Sequence, residues 1–371
     1  MKFSISQAAL QDLLQVVVSA VPTKSTLPIL SNILVEADRE GLTMVSTDLD
    51  LSIKTRGEAQ VDREGSITIP AKRIGEIVRE LKPDTEIKVS VSGTKVKMNY
   101  GHGSSTIIGL DPEDFPQLPQ IDAEKMVSLP TDVFERAVKR SAYAVSSDET
   151  RQMLTGVLFQ LQGNMLNLVS TDGHRLAKAA FQGDFKGLEG RDLIIPPKAL
   201  NQVVRLASGN PKVNLTVSRN FAVFEVGTTT VFSRLIDGNF PNYEQVIPKE
   251  NPHRFHLDKE EFMGAIRRVS VLSDHVTRQI KLALKPERVE LSVSTADVGE
   301  GQEALPVDYT GSEIAVGYNA SYLLEALRTI PSNKIEMRLN TPTSPGILVP
   351  AEQEKEEDLL CLVMPLRLPD A

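Results

Sequence analysis

One short pattern occurs three times in this chain at a single spacing. Leu42 to Ile53 is matched by Leu166 to Ala177, and more faintly by Val289 to Asp297. Each ends an apolar alternation on a Ser-Thr pair, and Thr47, Thr171 and Thr295 stand 124 residues apart. Other segments keep the same phase. A strand pattern followed by an amphipathic stretch opens each copy: Phe3 then Gln7 to Ala20, Val127 then Thr131 to Ala142, Phe255 then Asp258 to Val271. Ile67 to Arg79 is answered by Leu193 to Arg205 and by Ile314 to Arg328. Phe115-Pro116 and Phe240-Pro241 mark the ends of the first two copies. A repeat this long is one folded unit used again, so it constrains the fold before any composition does. At 371 residues the chain exceeds one core, and the repeats divide it into domains at 1–122, 126–247 and 253–371.

Within a copy the hydrophobic period switches between two and 3.6. Ile33 to Glu36, Leu42 to Ser46, Ser66 to Ile69, Ile87 to Ser92 and Val96 to Tyr100 alternate as strands, with a turn at Gly93-Thr94. Ile74, Ile77, Val78 and Leu81 form one helical face, and Lys82-Pro83 ends it. Leu200, Val203, Val204 and Ala207 repeat that face in the second copy, where Phe134, Ala137 and Val138 mark its other helix. The expectation is an α+β chain: two helices packed on sheets, three times over.

No run approaches the roughly 20 apolar residues that span a bilayer, and the N-terminus lacks an apolar signal core. These features predict a cytoplasmic protein without a membrane partner. Cys361 is the single cysteine, which excludes an internal disulfide, and its run Leu359 to Met364 predicts a buried thiol. The formal charge is −8, which by itself disfavours a nucleic-acid partner. Its distribution is uneven. Segments 7–20, 71–82, 131–142 and 197–208 carry −1, +2, +1 and +2, and 258–271 and 320–330 carry none. The helices thus hold +4 and the rest of the chain −12, a mildly basic helical surface in an acidic protein.

Phosphate-binding loops, dinucleotide fingerprints, the zinc-protease motif and the serine nucleophile elbow are all missing. The histidines have no companions spaced as metal ligands. No cofactor, metal or catalytic residue is predicted. Thr171 to Leu176 stands out instead. It follows a strand, and Gly173 permits a tight turn that exposes backbone and a planar side chain beside an apolar surface. An Asp-x-His pair is a weak catalytic signal, and a binding turn is the better reading.

On these residues the chain resembles the bacterial DNA sliding clamps, the β subunits of DNA polymerase III. The landmarks are Thr26 to Asn32, Ser46-Thr47-Asp48, Thr171 to Leu176, Asp237 to Tyr243, Gly317 to Tyr322 and Val363 to Leu368, spread over the whole length. The resemblance implies a head-to-tail homodimer closed into a ring of six domains, with strands outside and helices lining a hole for duplex DNA. It implies no catalysis and a nucleoid-associated location. The partners it implies are the DNA polymerase III α subunit, the clamp loader complex, and other polymerases and repair proteins, docking through short peptides.

The resemblance also carries residues. DNA contacts fall on Lys24, Lys72, Arg151, Lys198 and Arg205. The partner-peptide pocket falls on Leu154, Thr171, Gly173, His174, Arg175, Leu176, Pro241, Val246, Asn319, Tyr322, Val363, Met364, Pro365, Leu366 and Arg367. The dimer interface falls on Ile107, Ile108, Val271 and Leu272, with the edge Ser104 to Ile108 paired to the third copy of the partner. Gln245 stands where relatives carry Arg, Thr277 where they carry an aromatic residue, and Pro369-Asp370-Ala371 extends the terminus. Two other classes stay open: a peptide-binding scaffold of the same fold that never encircles DNA, and an enzyme with an unrecognised site.

Overall fold

The computed structural model describes residues 1–120, 126–185, 188, 190–218 and 220–368. The expected end of the first copy at 122 and the extension Pro369-Asp370-Ala371 lie outside them. The described residues carry two α-helices per copy: α1 (Gln7–Val17), α2 (Ala71–Arg79), α3 (Thr131–Ser141), α4 (Pro197–Ala207), α5 (Lys259–Ser270) and α6 (Ala320–Thr329). Their apolar stripes are buried as the periodicity predicts, with Ile74 and Val78 of α2 and Leu200 and Val203 of α4 at or near zero exposure. The Cys361 thiol is buried too, and burial pushes its pKa up.

The Ser-Thr-Asp signature proves to be a folding motif. The last carbonyls of a helix lack intrahelical partners. Ser46 Oγ donates to the Val17 carbonyl at 2.5 Å, at the end of α1. Ser170 Oγ donates in the same way to the Ser141 carbonyl that ends α3. Both serines are buried. The next two residues build the turn. Thr47 Oγ1 and Thr171 Oγ1 accept the amides of Leu49 and Gly173. Asp48 Oδ1 accepts from the amides of Asp50 and Leu51, and Asp172 Oδ1 from those of His174 and Arg175. The turn demands a left-handed residue at one repeat position, with φ of 82° at Leu49, 91° at Gly173 and 67° at Asp297. Only the second copy supplies glycine there, so the other two accept strain.

The chain separates into two compact units that cut the middle copy. One holds Met1–Phe134 with Lys198–Leu235, the other Glu135–Pro197 with Ile236–Ala371. Each is organised by one joint. In the first unit the strand Thr229–Arg234, last of the second copy's meander, pairs antiparallel with Leu51–Gly57, the strand after the first copy's turn. In the second unit Glu357–Val363 pairs in the same way with Arg175–Gln182. Each joint completes a sheet of eight strands.

The matching strands at the two ends each keep one open edge. Gly103–Ile108, last of the first copy's meander, ends the first unit's five-stranded sheet. Gly299–Pro306, after the third copy's turn, ends the second unit's four-stranded sheet.

The charge count on α3 needs correction. Arg140 is only 7 % exposed. It forms an ion pair with Glu357, whose other oxygen takes Arg136 at 2.7 Å. A buried carboxylate requires such partners, so α3 turns part of its positive charge inward and the helical surface is less basic than +4 suggests.

If the repeated serine is a helix cap, Ser170→Ala leaves a buried helix-end carbonyl unsatisfied. The loss should be about 1–3 kcal/mol, read by denaturant unfolding of the second unit. A change inside 0.5 kcal/mol would show that the conserved phase has another cause.

Candidate functional site

The turn Thr171–Arg175 sits at the joint of the second unit, where three segments meet it. Arg175 is the centre. Its Nε donates to Asp172 Oδ2 at 3.0 Å, and its Nη1 forms an ion pair with Glu325 on α6. The guanidinium also lies 4.7 Å from the ring centroid of Tyr322 and 5.5 Å from that of Tyr143, positions that favour a cation over each face. Burial pulls the Arg175 pKa down, and Glu325 and then Asp172 more than reverse it. Tyr143 is pushed well above its usual range by burial and then by the nearby Cys361 thiol. The imidazole of His174 stacks on Tyr322, with centroids 6.5 Å apart.

The C-terminal tail crosses this turn. The Met364 amide donates to the His174 carbonyl at 2.8 Å, the Leu366 amide to Gly317 at 2.8 Å, and Gln279 Nε2 to the Arg367 carbonyl at 3.1 Å. A Cβ on Gly317 would stand 2.6 Å from the Leu366 carbonyl oxygen, so the glycine is what lets the tail lie this close. Beneath the tail an apolar cluster holds Leu158, Leu176, Tyr243 and Leu362, with Met153, Phe240, Ile247 and Met364 packed half-buried on it.

The expected pocket residues therefore fall into distinct roles. Leu154, Leu176 and Val363 are buried floor, the last two only 1 % exposed. Pro241, His174, Val246 and Arg367 are exposed, and Met364, Pro365, Leu366 and Tyr322 are half-buried. Thr171 Oγ1 donates to the Arg175 carbonyl at 2.6 Å, so it shapes the turn. Asn319 caps α6, its Oδ1 accepting the Ser321 amide at 2.9 Å, and so aims Tyr322. Sequence reasoning missed Tyr143, Glu325, Met153, Phe240 and Ile247. Phe240 had a signal, since it marks the end of a copy, but the others have none short of the tertiary fold.

Models of the N-terminal, central and C-terminal domains of the DNA polymerase III beta subunit match residues 1–119, 128–242 and 244–367. The chain belongs to the DNA polymerase III β subunit family. It is similar to the beta sliding clamp of Synechococcus elongatus, with 33 % identity over 99 % of this chain and all of that protein. The crystal structure of the Caulobacter crescentus beta sliding clamp superposes with a TM-score of 0.94 at 35 % identity, covering 99 % of this chain and 100 % of that one. A Pseudomonas aeruginosa sliding clamp bound to griselimycin superposes at 0.93 with 28 % identity, covering 99 % and 100 %. The fold class is the three tandem clamp domains of that family.

The other expected residues can then be placed in this clamp-family chain. Lys24 is exposed in a loop of the first unit. On the helices of that unit, Lys72 stands 4.0 Å from Glu76, Lys198 2.5 Å from Asp48 Oδ2, and Arg205 donates to Gln202 at 2.6 Å. Arg151 belongs with the turn: it pairs with Asp148 at 2.9 Å, and a Cβ on Gly173 would stand 3.2 Å from its guanidinium. At the sheet edges Ile108 and Val271 are exposed, Leu272 is half-buried against Gly301, and Ile107 lies in its own core at 7 % exposure.

Glu325 ties the turn to α6, so Glu325→Gln should loosen the His174–Tyr322 stack. The Glu325 carboxylate is partly exposed, so after screening the expected cost is about 1 kcal/mol. A shifted His174 ring resonance together with a lower unfolding midpoint would show the tie at work. An unchanged resonance would leave Glu325 a surface charge.

Proposed function

We propose that this chain is a DNA sliding clamp: two copies close head to tail around duplex DNA and tether a polymerase without catalysing a reaction. The observation that carries this reading is the pair of open half-joints. The chain makes the same strand joint twice internally and leaves one complementary half at each end. Exposed edges invite pairing, and a head-to-tail contact forms a ring when its rotation closes. Gly103–Ile108 of one chain then meets Gly299–Pro306 of another, with Ile108, Val271 and Leu272 packing beside them. Ile107 supports its own sheet from within.

The domains follow the boundaries 1–122, 126–247 and 253–371. Lys24, Lys72, Arg151, Lys198 and Arg205 are the proposed DNA contacts, made to phosphates and blind to sequence. Several already face an acceptor on the protein, such as Asp48 for Lys198, so a phosphate must compete and the grip is weak. That suits a ring held by topology. The turn, the tail and the apolar cluster beneath them receive short peptides from the DNA polymerase III α subunit, the clamp loader and repair polymerases, in the cytoplasm at the nucleoid. Each well-buried anchor contributes about 1.5–3 kcal/mol, offset by ordering the peptide, which gives micromolar affinity, near −8 kcal/mol. The floor is closed by half-buried Met364, whose flexible thioether can move aside.

Sedimentation at micromolar concentration should show a dimer, and Leu272→Asp should give monomers of normal helix content. The dimer, loaded on a nicked circle, should stay bound and be released when the circle is cut. The monomeric variant should not be retained. Equal release from circles and linear duplex would reject the ring and leave the scaffold reading.

A further inference from the structure

The four-stranded sheet of the second unit has a second face. Ile280, Leu282 and Leu284 of one strand and Val289, Leu291 and Val293 of the next point to the core and are buried. The alternate residues Lys281, Ser292 and Ser294 point the other way. They floor an open groove of ≈ 1320 Å³, walled by the turn at Asp274 to Thr277, the loop at Asn340 to Pro342, and Leu368 of the tail. The C-terminal tail links the groove to the turn at Thr171–Arg175. The tail is fixed at His174 through Met364 and at Gln279 through Arg367, and its Leu368 then lines the groove. Gln279 also stands opposite Asn319, the cap of the helix that carries Tyr322. An extended peptide laid beside the tail from Met364 to Leu368 matches its length in about five residues at ~3.3 Å each.

The groove is acidic. Asp274, Glu313 and Glu300, the last on the open-edge strand Gly299–Pro306 proposed to meet the partner chain, line it against Lys281, the one Lys or Arg among the described lining residues, and the imidazole of His253. Arg288 approaches Glu313 from outside but is engaged by Glu290 at 2.7 Å. The turn at its wall carries Thr277, which lines the groove, and Val276, whose side chain is exposed.

We propose that this groove receives the flank of the docked partner peptide, and that it selects a basic flank about five residues from the apolar anchors. The proposal rests on the peptide pocket and adds the chemistry of its ligand. With Gln245 neutral at one side of the pocket and three carboxylates along the groove, positive charge on the peptide gains and negative charge loses.

The test is calorimetry of the full chain with three peptides. All share a Gln-Leu-x-Leu-Phe core, flanked at both ends by Gly/Ser, Lys-rich or Glu-rich segments. The Lys-rich peptide should bind about three- to tenfold more tightly than the Gly/Ser one at low salt, the scale of one or two solvent-exposed ion pairs, and salt should erase the gain. Glu313→Lys should remove most of that gain and Lys281→Glu should enlarge it. The Gly/Ser peptide should bind all three proteins alike, which separates the groove from the pocket. Equal affinities of the wild-type chain for Lys-rich and Gly/Ser peptides would overturn the proposal, as would a gain untouched by both substitutions. If the substitutions changed self-association on sedimentation and not peptide binding, the groove would be a face between copies and the proposal wrong. A chain that bound none of the peptides would overturn the pocket, and the groove assignment with it.

Discussion

Everything in this chain depends on one antiparallel strand joint. A copy of the repeat cannot satisfy the backbone of its own outer strands, because the strand after its turn has a neighbour within the copy on one side only. The next copy supplies one, as Thr229–Arg234 does for Leu51–Gly57 and Glu357–Val363 for Arg175–Gln182. The compact units therefore form around joints, and their limits run through the middle copy. A chain assembled by this rule necessarily ends in one open-edged strand of each type. In the proposed ring a second chain supplies the missing neighbours, so backbone hydrogen bonding favours the dimer before any side chain at the interface is considered.

The same joint positions the proposed peptide site. The turn that precedes the joined strand is built by Thr and Asp in both of the first two copies, with the same bonds. What differs is what the turn meets. In the first copy Asp48 faces Lys198, one helix-start residue. In the second, Arg175 lies between Asp172 and Glu325 with aromatic rings of Tyr322 and Tyr143 on its faces. Tyr322 occupies the repeat position of Lys198, 124 residues on. The exchange of Lys198 for Tyr322, with Leu51 for Arg175, Ser19 for Tyr143 and Asn201 for Glu325 at the other repeat positions, gives the second turn its aromatic walls.

Much of the fold was legible because periodicity reports burial directly. The helix faces, the turn glycine at 173 and the buried thiol at 361 all follow from local pattern. The site was legible only in part. Thr171 and Asn319 carry the right chemistry for a pocket, yet their side chains are consumed by turn and cap. Glu325 and Tyr143 were not visible, since Glu325 reaches Arg175 across 150 positions of sequence. Summed helix charge failed for a related reason. Counting cannot see that Arg140 turns inward to Glu357, and only partners and burial decide which charges face the solvent.

The most direct test of the account joins the two open edges covalently. With Cys361→Ser removing the native thiol, Ser105→Cys and Gln302→Cys place one thiol mid-strand on each edge. Mild oxidation should give a dimer with two disulfides, and one loaded beforehand on a nicked circle should stay on the DNA through denaturation. Monomers that resist oxidation, or cross-linked dimers that denaturant strips from the circle, would contradict the ring.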